Sequence, residues 1–208
     1  LRAGGQMANQ RPLDQEISLL IKLIIATLPV VVAGYWVNET INEDLLRSVK
    51  IIGWTTLGFG LFLWLADKSN MTIRRLEHIT YGGALVIGLF QILALLPGTS
   101  RAGITMTAAR FLGVECQDAA RFSLLLSIPV IIAAGSLKGW ELFRSGNQVL
   151  IDDALTVGGL AFLFALVAIA FLMFWLKRAS FTPFVVYRVI LGAALLYYAY
   201  GAPGLDIQ

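Results

Sequence analysis

Five long runs of mostly apolar residues dominate this sequence. Each run has 16 to 23 residues, and they lie at 17–36, 51–66, 122–137, 154–176 and 184–200. A helix needs about 20 apolar residues to cross the ~30 Å hydrocarbon core of a bilayer. Since lipid offers no partner to a backbone N–H or C=O, such runs are expected to be helices there. The pattern predicts an all-α polytopic membrane protein with about five transmembrane helices, folded as a single membrane domain over 1–208.

The composition excludes an ordinary soluble domain. Of the 208 residues, 58% are hydrophobic and only 14% are charged, whereas soluble domains have about 25% charged residues. The formal net charge is a mild +3, so we expect the bilayer as a partner and no nucleic acid. The chain has one cysteine and one histidine, which excludes an internal disulfide and a metal site built on paired cysteines or histidines.

A segment at 79–113 departs from the pattern of single long runs. It begins as an uncharged run, breaks at a turn that reads PGTSRAG, and continues as a mostly apolar stretch that is too short to cross a bilayer. Irregular backbone and charge are tolerated at membrane depth only where they face protein or a wet cavity. The segment therefore predicts a re-entrant helical hairpin with the polar turn at its tip.

The charges of the loops agree with such a hairpin. The loops at 67–78 and 177–183 are basic, and those at 37–50 and 139–153 lean acidic. Basic loops collect on the cytoplasmic side of a membrane. Both basic loops lie on that side only if 79–113 enters and leaves the membrane on the same face.

The turn itself carries groups that suit an anion. Gly98 and Gly103 lie at a helix start, where free backbone N–H groups and the positive end of the helix dipole attract negative charge. Thr99 and Ser100 add hydroxyl donors, and Arg101 adds a permanent cation whose planar fork matches a phosphate. In a soluble protein we would interpret this string as a helix break with a capping hydroxyl. An arginine at membrane depth favours anion binding.

Three other polar side chains lie in the apolar segments. Gln91 either lines the same cavity or bonds to a neighbouring helix, and Arg110, near the end of the hairpin, is expected to face an aqueous entrance. Arg188 contacts substrate, forms a structural ion pair or extends to the membrane interface. The apolar segments hold no carboxylate and no histidine, so no base or metal ligand lies beside the turn.

Three strings of the sequence together resemble the undecaprenyl-diphosphatase family, also called bacitracin-resistance proteins. They occur in the family's order and read QILALLPGTSRAGITMTAARFLG, AARFSLLLSIPV and KRASFTPFVVYRVILGA. The resemblance covers nearly the whole chain. It implies a multi-pass hydrolase of the bacterial inner membrane that removes the terminal phosphate of undecaprenyl diphosphate. The product, undecaprenyl phosphate, is the recycled lipid carrier of cell-wall peptidoglycan synthesis. An inverted-repeat fold with two re-entrant hairpins is implied too, with a homodimer as a possible assembly.

The resemblance also assigns roles to the residues of the turn. By position, Arg101 corresponds to the family's phosphate-binding arginine and is assigned to catalysis together with Ser100. Gly98, Thr99 and Gly103 are assigned to binding of the substrate phosphates.

Two departures from the family's pattern limit these assignments. Ala102 stands where the commoner motif has a second serine, so one hydroxyl donor is lost. The family's glutamate-rich string, of the type EGxTEFLPxSSTGH, is missing from these 208 residues. In the family it supplies the groups that bind a divalent metal (Mg or Ca) and act as base and nucleophile. With Leu1 as its first residue, we expect an N-terminally truncated fragment that holds no metal site and is inactive alone.

A second function, a transporter or flippase of a polyprenyl phosphate lipid, stays open as an alternative. Hairpins that meet at a repeat interface are also transporter architecture. A membrane phosphatase of the phosphatidic-acid type is excluded, because such enzymes need a histidine after their Ser-Arg motif and none follows Arg101.

Overall fold

The computed structural model describes residues 12–40, 48–69, 74–177 and 180–201. Parts of the loops expected at 37–50, 67–78 and 177–183 lie outside these residues. Two 3₁₀-helical turns, Leu76–His78 and Ile92–Leu95, accompany the α-helices. The α-helices of the described part are α1 Pro12–Thr40, α2 Val49–Ser69, α3 Tyr81–Gln91, α4 Arg101–Phe111, α5 Cys116–Arg144, α6 Gln148–Leu176 and α7 Thr182–Gly201.

Five of these helices are long and apolar enough to cross a membrane. They are α1, α2, α5, α6 and α7, with apolar segments of 20 to 29 residues. This confirms the prediction of an all-α, multi-pass membrane protein with about five transmembrane helices. Helices α3 and α4 have 11 residues each, which corresponds to about 16 Å at 1.5 Å per residue. Each therefore reaches about halfway through a bilayer core.

The connection between the third and fourth long apolar runs was predicted wrongly. The stretch 139–153 was expected to be a loop, but α5 begins at Cys116 and continues to Arg144. Only 145–147 separate it from α6. Polar residues do not stop a helix that can project into water, and Lys138 Nζ pairs with Glu141 Oε2 at 3.0 Å, an i,i+3 contact that supports the helix.

The hairpin returns to the place where it began. Backbone N–H of Arg74 donates to the carbonyl of Gly113 at 2.8 Å, and N–H of Glu115 donates to the carbonyl of Arg74 at 2.8 Å. These bonds join the chain just before the hairpin to the chain just after it. The uncharged first half is shorter than expected, because the α-helix tightens into the 3₁₀ turn Ile92–Leu95. The depth of the hairpin in a bilayer stays a prediction.

Helix α4 occupies the centre of the described structure. Its residues 104–110 are all buried. On one side, Ala108 and Ala109 pack with apolar side chains of α1, α3 and α5. On the other side, Met106 packs with side chains from α2, α5, α6 and α7. The turn before α4 is therefore enclosed by several helices. Helix α6, in contrast to α4, is almost entirely exposed, since Leu176 is its one buried residue.

Candidate active site

The turn between α3 and α4 contains two residues with positive φ, of which Ser100 is strained. Gly98 has φ +85° and Ser100 has φ +64°. A Cβ added to Gly98 would lie 2.7 Å from the carbonyl oxygen of Ile52 in α2, so only glycine fits there. A non-glycine residue in a sparsely populated backbone region costs about 1–3 kcal/mol and persists only where surrounding contacts hold it. Such strain is concentrated at functional sites.

Three side-chain donors hold the carbonyl groups of the turn. Thr55 Oγ1 donates to the carbonyl of Pro97 at 2.6 Å, and Thr56 Oγ1 donates to the carbonyl of Gly98 at 3.2 Å. From the opposite helix, Arg188 Nη2 donates to the same Gly98 carbonyl at 2.7 Å. The carbonyls are thus directed at α2 and α7, and their lone pairs are occupied by protein donors. This arrangement removes negative charge from the neighbourhood of the free amides.

The N-terminus of α4 offers positive potential at the turn. Ser100 Oγ accepts a hydrogen bond from the amide of Gly103 at 3.2 Å and caps the helix. The first backbone bond into the helix runs from Ile104 N to Ser100 O at 3.0 Å, so the amides of Arg101 and Ala102 precede the helical ladder. Because Ser100 Oγ serves as an acceptor in the cap, its hydroxyl proton is left to donate. Free amides and a hydroxyl at a helix N-terminus form an anion site.

A cavity of about 540 Å³ opens beside the turn, between α2 and α7. At its polar end lie Gly98, Ser100, Gly103, Thr56 and Arg188. The rest of the wall is almost entirely apolar and is lined by Ile52, Leu63, Ala102, Met106, Leu172, Phe181, Phe184, Tyr187, Leu191 and Leu195. A cavity with one polar end and a long apolar wall suits an amphiphile that has an anionic head and a hydrocarbon chain.

Arg101 lies on the first turn of α4 but does not line this cavity. It is partly buried, and its guanidinium makes no hydrogen bond or ion pair with any residue in the described ranges. Its charge is therefore available to a ligand at the turn.

Two buried polar atoms, one in the turn and one at the end of α3, have no hydrogen-bond partner among the described residues. Thr99 is 0% exposed and Gln91 is 1% exposed. Thr99 Oγ1 and Gln91 Nε2 make no hydrogen bond to the part of the chain that is described. An unsatisfied buried group costs about 1–3 kcal/mol, so each of these atoms has a strong requirement for a bound water, ligand or further protein group. Neither residue lines the cavity, and Gln91 Nε2 bonds to no neighbouring helix in the part of the chain that is described.

The expectation that Arg110 faces an aqueous entrance is wrong. Its side chain is buried, and its Nε pairs with Asp67 Oδ1 at 3.1 Å. Its Nη1 donates to the carbonyl of Val114 at 2.7 Å, and its Nη2 to the carbonyl of Asp67 at 3.1 Å. Arg110 therefore fastens the end of α4 to the end of α2. Asp67 directly follows the second apolar run, so an acidic candidate was visible in the sequence. No local pattern linked it to Arg110.

Thr55 and Thr56 of α2, which hold the turn, were not predicted from the sequence. The available signal was a pair of adjacent threonines inside an otherwise apolar helix. Hydroxyls in such a helix bond either within it or to a neighbour, and only the packing of α2 against the turn decides which.

A divalent metal does not fit the residues present. Within 12–40, 48–69, 74–177 and 180–201, no group of three or more His, Cys, Asp or Glu side chains is placed to hold one. Magnesium and calcium both prefer carboxylate and carbonyl oxygens, whereas the polar groups at the turn are donors and cations. The turn is built for the anion and not for the metal.

Comparison with known proteins agrees with this chemistry. The family model of bacitracin resistance protein BacA matches residues 2–194. An undecaprenyl-diphosphatase of Roseobacter denitrificans is 49% identical over 195 residues, which cover 94% of this chain and 73% of that protein. Undecaprenyl-diphosphatase 1 of Rhodospirillum rubrum is 47% identical over 192 residues, covering 92% of this chain and 68% of the relative. Both relatives named above are undecaprenyl-diphosphatases. The chain belongs to the BacA bacitracin resistance family.

Proposed function

We propose that this chain is the phosphate-binding part of an undecaprenyl-diphosphatase of the bacterial inner membrane, and that the turn at 98–103 binds the phosphates of the substrate. The single observation that carries the role of the turn is its geometry. A turn held by its carbonyls, with Ser100 at positive φ, lies with the N-terminus of α4 at the polar end of an otherwise apolar cavity. An inorganic anion would not need the apolar wall, whereas a prenyl diphosphate uses both parts.

In the reaction, a water oxygen bonds to the terminal phosphorus and the bridging P–O bond breaks. The products are inorganic phosphate and undecaprenyl phosphate. Charge builds up on the phosphoryl oxygens, so catalysis depends on positioning and neutralisation. The amides of Arg101 and Ala102, the hydroxyl of Ser100 and the guanidinium of Arg101 are the groups of this chain that supply them. We assign no base among the described residues.

The divalent metal that the resemblance implies has no ligand set in the described part of the chain, so no step is assigned to it. We propose that a magnesium or calcium ion acts with the whole enzyme, and that the 208-residue chain by itself binds lipid without hydrolysing it. The homodimer also stays a prediction, which light scattering of the purified protein would check.

Replacing Arg101 tests the proposal. In protein expressed from its complete native gene and purified in detergent, Arg101→Ala is expected to slow phosphate release from undecaprenyl diphosphate by about 100- to 1000-fold, the effect of losing one charged donor to a transition state. Detergent offers no second compartment, so phosphate release measures hydrolysis and not lipid transport. Unchanged release by Arg101→Ala would contradict the assignment. In a separate assay with the protein reconstituted into vesicles, lipid translocation without hydrolysis would favour the flippase.

A further inference from the structure

Arg188 is a buried cation with no carboxylate partner among the described residues. It lies within α7, is 9% exposed, and lines the polar end of the cavity. Its Nη2 bonds to the carbonyl of Gly98 at 2.7 Å, and its Nε to the carbonyl of Thr56 at 3.4 Å. No carboxylate of the described ranges contacts it. The two carbonyl bonds satisfy two of its nitrogens, but they do not neutralise its charge.

The side chain of Arg188 passes so close to two glycines that a larger residue would be crowded at either position. A Cβ added to Gly60 would lie 3.0 Å from Arg188 Cβ, and one added to Gly103 would lie 3.1 Å from Arg188 Nη1. Arg188 therefore passes across Gly60 of α2 and ends against the first turn of α4. Its Nη1 lies beside Gly103, close to the helix N-terminus, and donates to no side chain or carbonyl in the part of the chain described.

An uncompensated buried charge is unfavourable, and in a membrane segment it marks a functional site. Arg188 lines the cavity, so an anion bound there can neutralise its charge. Side chains of α7 on either side of Arg188, including Phe184 and Leu191, form the apolar wall. The cation thus lies where the hydrocarbon wall meets the turn, and Arg101 lies outside the cavity.

We propose that Arg188 binds the phosphate that stays attached to the lipid, while Arg101 is left for the terminal phosphate that is removed. Arg188 holds the turn through the Gly98 carbonyl with Nη2 and donates to the lipid-bound phosphate with Nη1. The inference rests on the proposed function, because it divides the diphosphate between two arginines of the same site. Its consequence is that a prenyl monophosphate, which is the product class, is recognised through Arg188 and not through Arg101.

The test is binding of farnesyl monophosphate and farnesyl diphosphate to the purified 208-residue chain in detergent. Arg188→Met is expected to weaken monophosphate binding by about 10- to 100-fold, the effect of losing a charged hydrogen bond. Arg101→Met is expected to leave monophosphate binding within about threefold and to weaken diphosphate binding by about 10- to 100-fold. Arg188→Lys keeps the charge but cannot reach the carbonyl and the phosphate together, so its monophosphate affinity falls between those of the unaltered chain and Arg188→Met.

Arg110→Met is the matched control, because Arg110 is also a buried arginine bound to carbonyls but does not line the cavity. Its folded fraction, isolated by size-exclusion chromatography, should bind both lipids like the unaltered chain. If Arg188→Met is not monodisperse, the monophosphate affinity of Arg188→Lys is the deciding measurement. Unchanged monophosphate affinity in the Arg188 variants, with diphosphate binding lost in Arg101→Met, would overturn this inference and leave the proposed function standing. Failure of the unaltered chain to bind either lipid would overturn both.

Discussion

Arg110 and Arg188 are alike in burial and differ in their partners. Both are less than a tenth exposed, and both donate to backbone carbonyls at 2.7 Å. Arg110 also has the carboxylate of Asp67 at 3.1 Å, whereas Arg188 has no carboxylate within the described residues and borders a cavity. An arginine with a carboxylate partner fastens two helices together. An arginine that lacks one, at the wall of an open cavity, is placed to bind an anionic ligand.

Breaking the paired arginine should have the largest effect on stability. Arg110→Met leaves the Asp67 carboxylate buried at 8% side-chain exposure without its cation, and breaking a buried pair in this way costs about 3–5 kcal/mol. Thermal unfolding in detergent measures the loss. The double variant Arg110→Met with Asp67→Asn removes the uncompensated charge and should recover part of the stability. A double variant no more stable than Arg110→Met would contradict the role of the pair.

Displacing the carbonyl that Arg188 holds should have the next largest effect. Gly98→Ala places a Cβ in a left-handed residue, which costs about 1–2 kcal/mol, and brings it against α2. The turn must shift, so farnesyl diphosphate affinity should fall along with stability. Gly58→Ala is the matched control, since nothing lies within 4 Å of a Cβ at that helical position. Equal affinity in the two variants would show that the conformation of the turn is not needed for binding.

Removing one hydroxyl should have the smallest effect. Thr56→Val loses the 3.2 Å hydrogen bond to the Gly98 carbonyl, a loss of about 0.5–1.5 kcal/mol. The carbonyl keeps its bond from Arg188, so the turn should stay in place and lipid affinity should change little. Combining Thr56→Val with Arg188→Lys should weaken binding by more than the sum of the single changes in free energy, if both side chains hold the same carbonyl. Additive changes in binding free energy would show that the two side chains act independently.

The candidate site was predictable from the sequence only in part. PGTSRAG predicted a helix break with an anion-binding N-terminus, because glycines, a capping hydroxyl and a helix start are local properties of the chain. The hydroxyls of Thr55 and Thr56 donate to carbonyls that lie 42 residues away in the sequence, so no local pattern could predict these bonds. The helix boundaries around 138–153 were missed, because apolar length marks the part of a helix in lipid and says nothing about how far it projects beyond it.

The sequence by itself determined the class of the protein, its five long helices and the chemical character of the turn. These follow from composition and from runs of neighbouring residues, and lipid allows few alternatives to a helix. Only the tertiary structure decided which arginine is paired and which borders the cavity. Asp67 and Arg110 are 43 residues apart, and Gly98 and Arg188 are 90 residues apart. Such contacts depend on how helices pack, and no local pattern in the sequence records them.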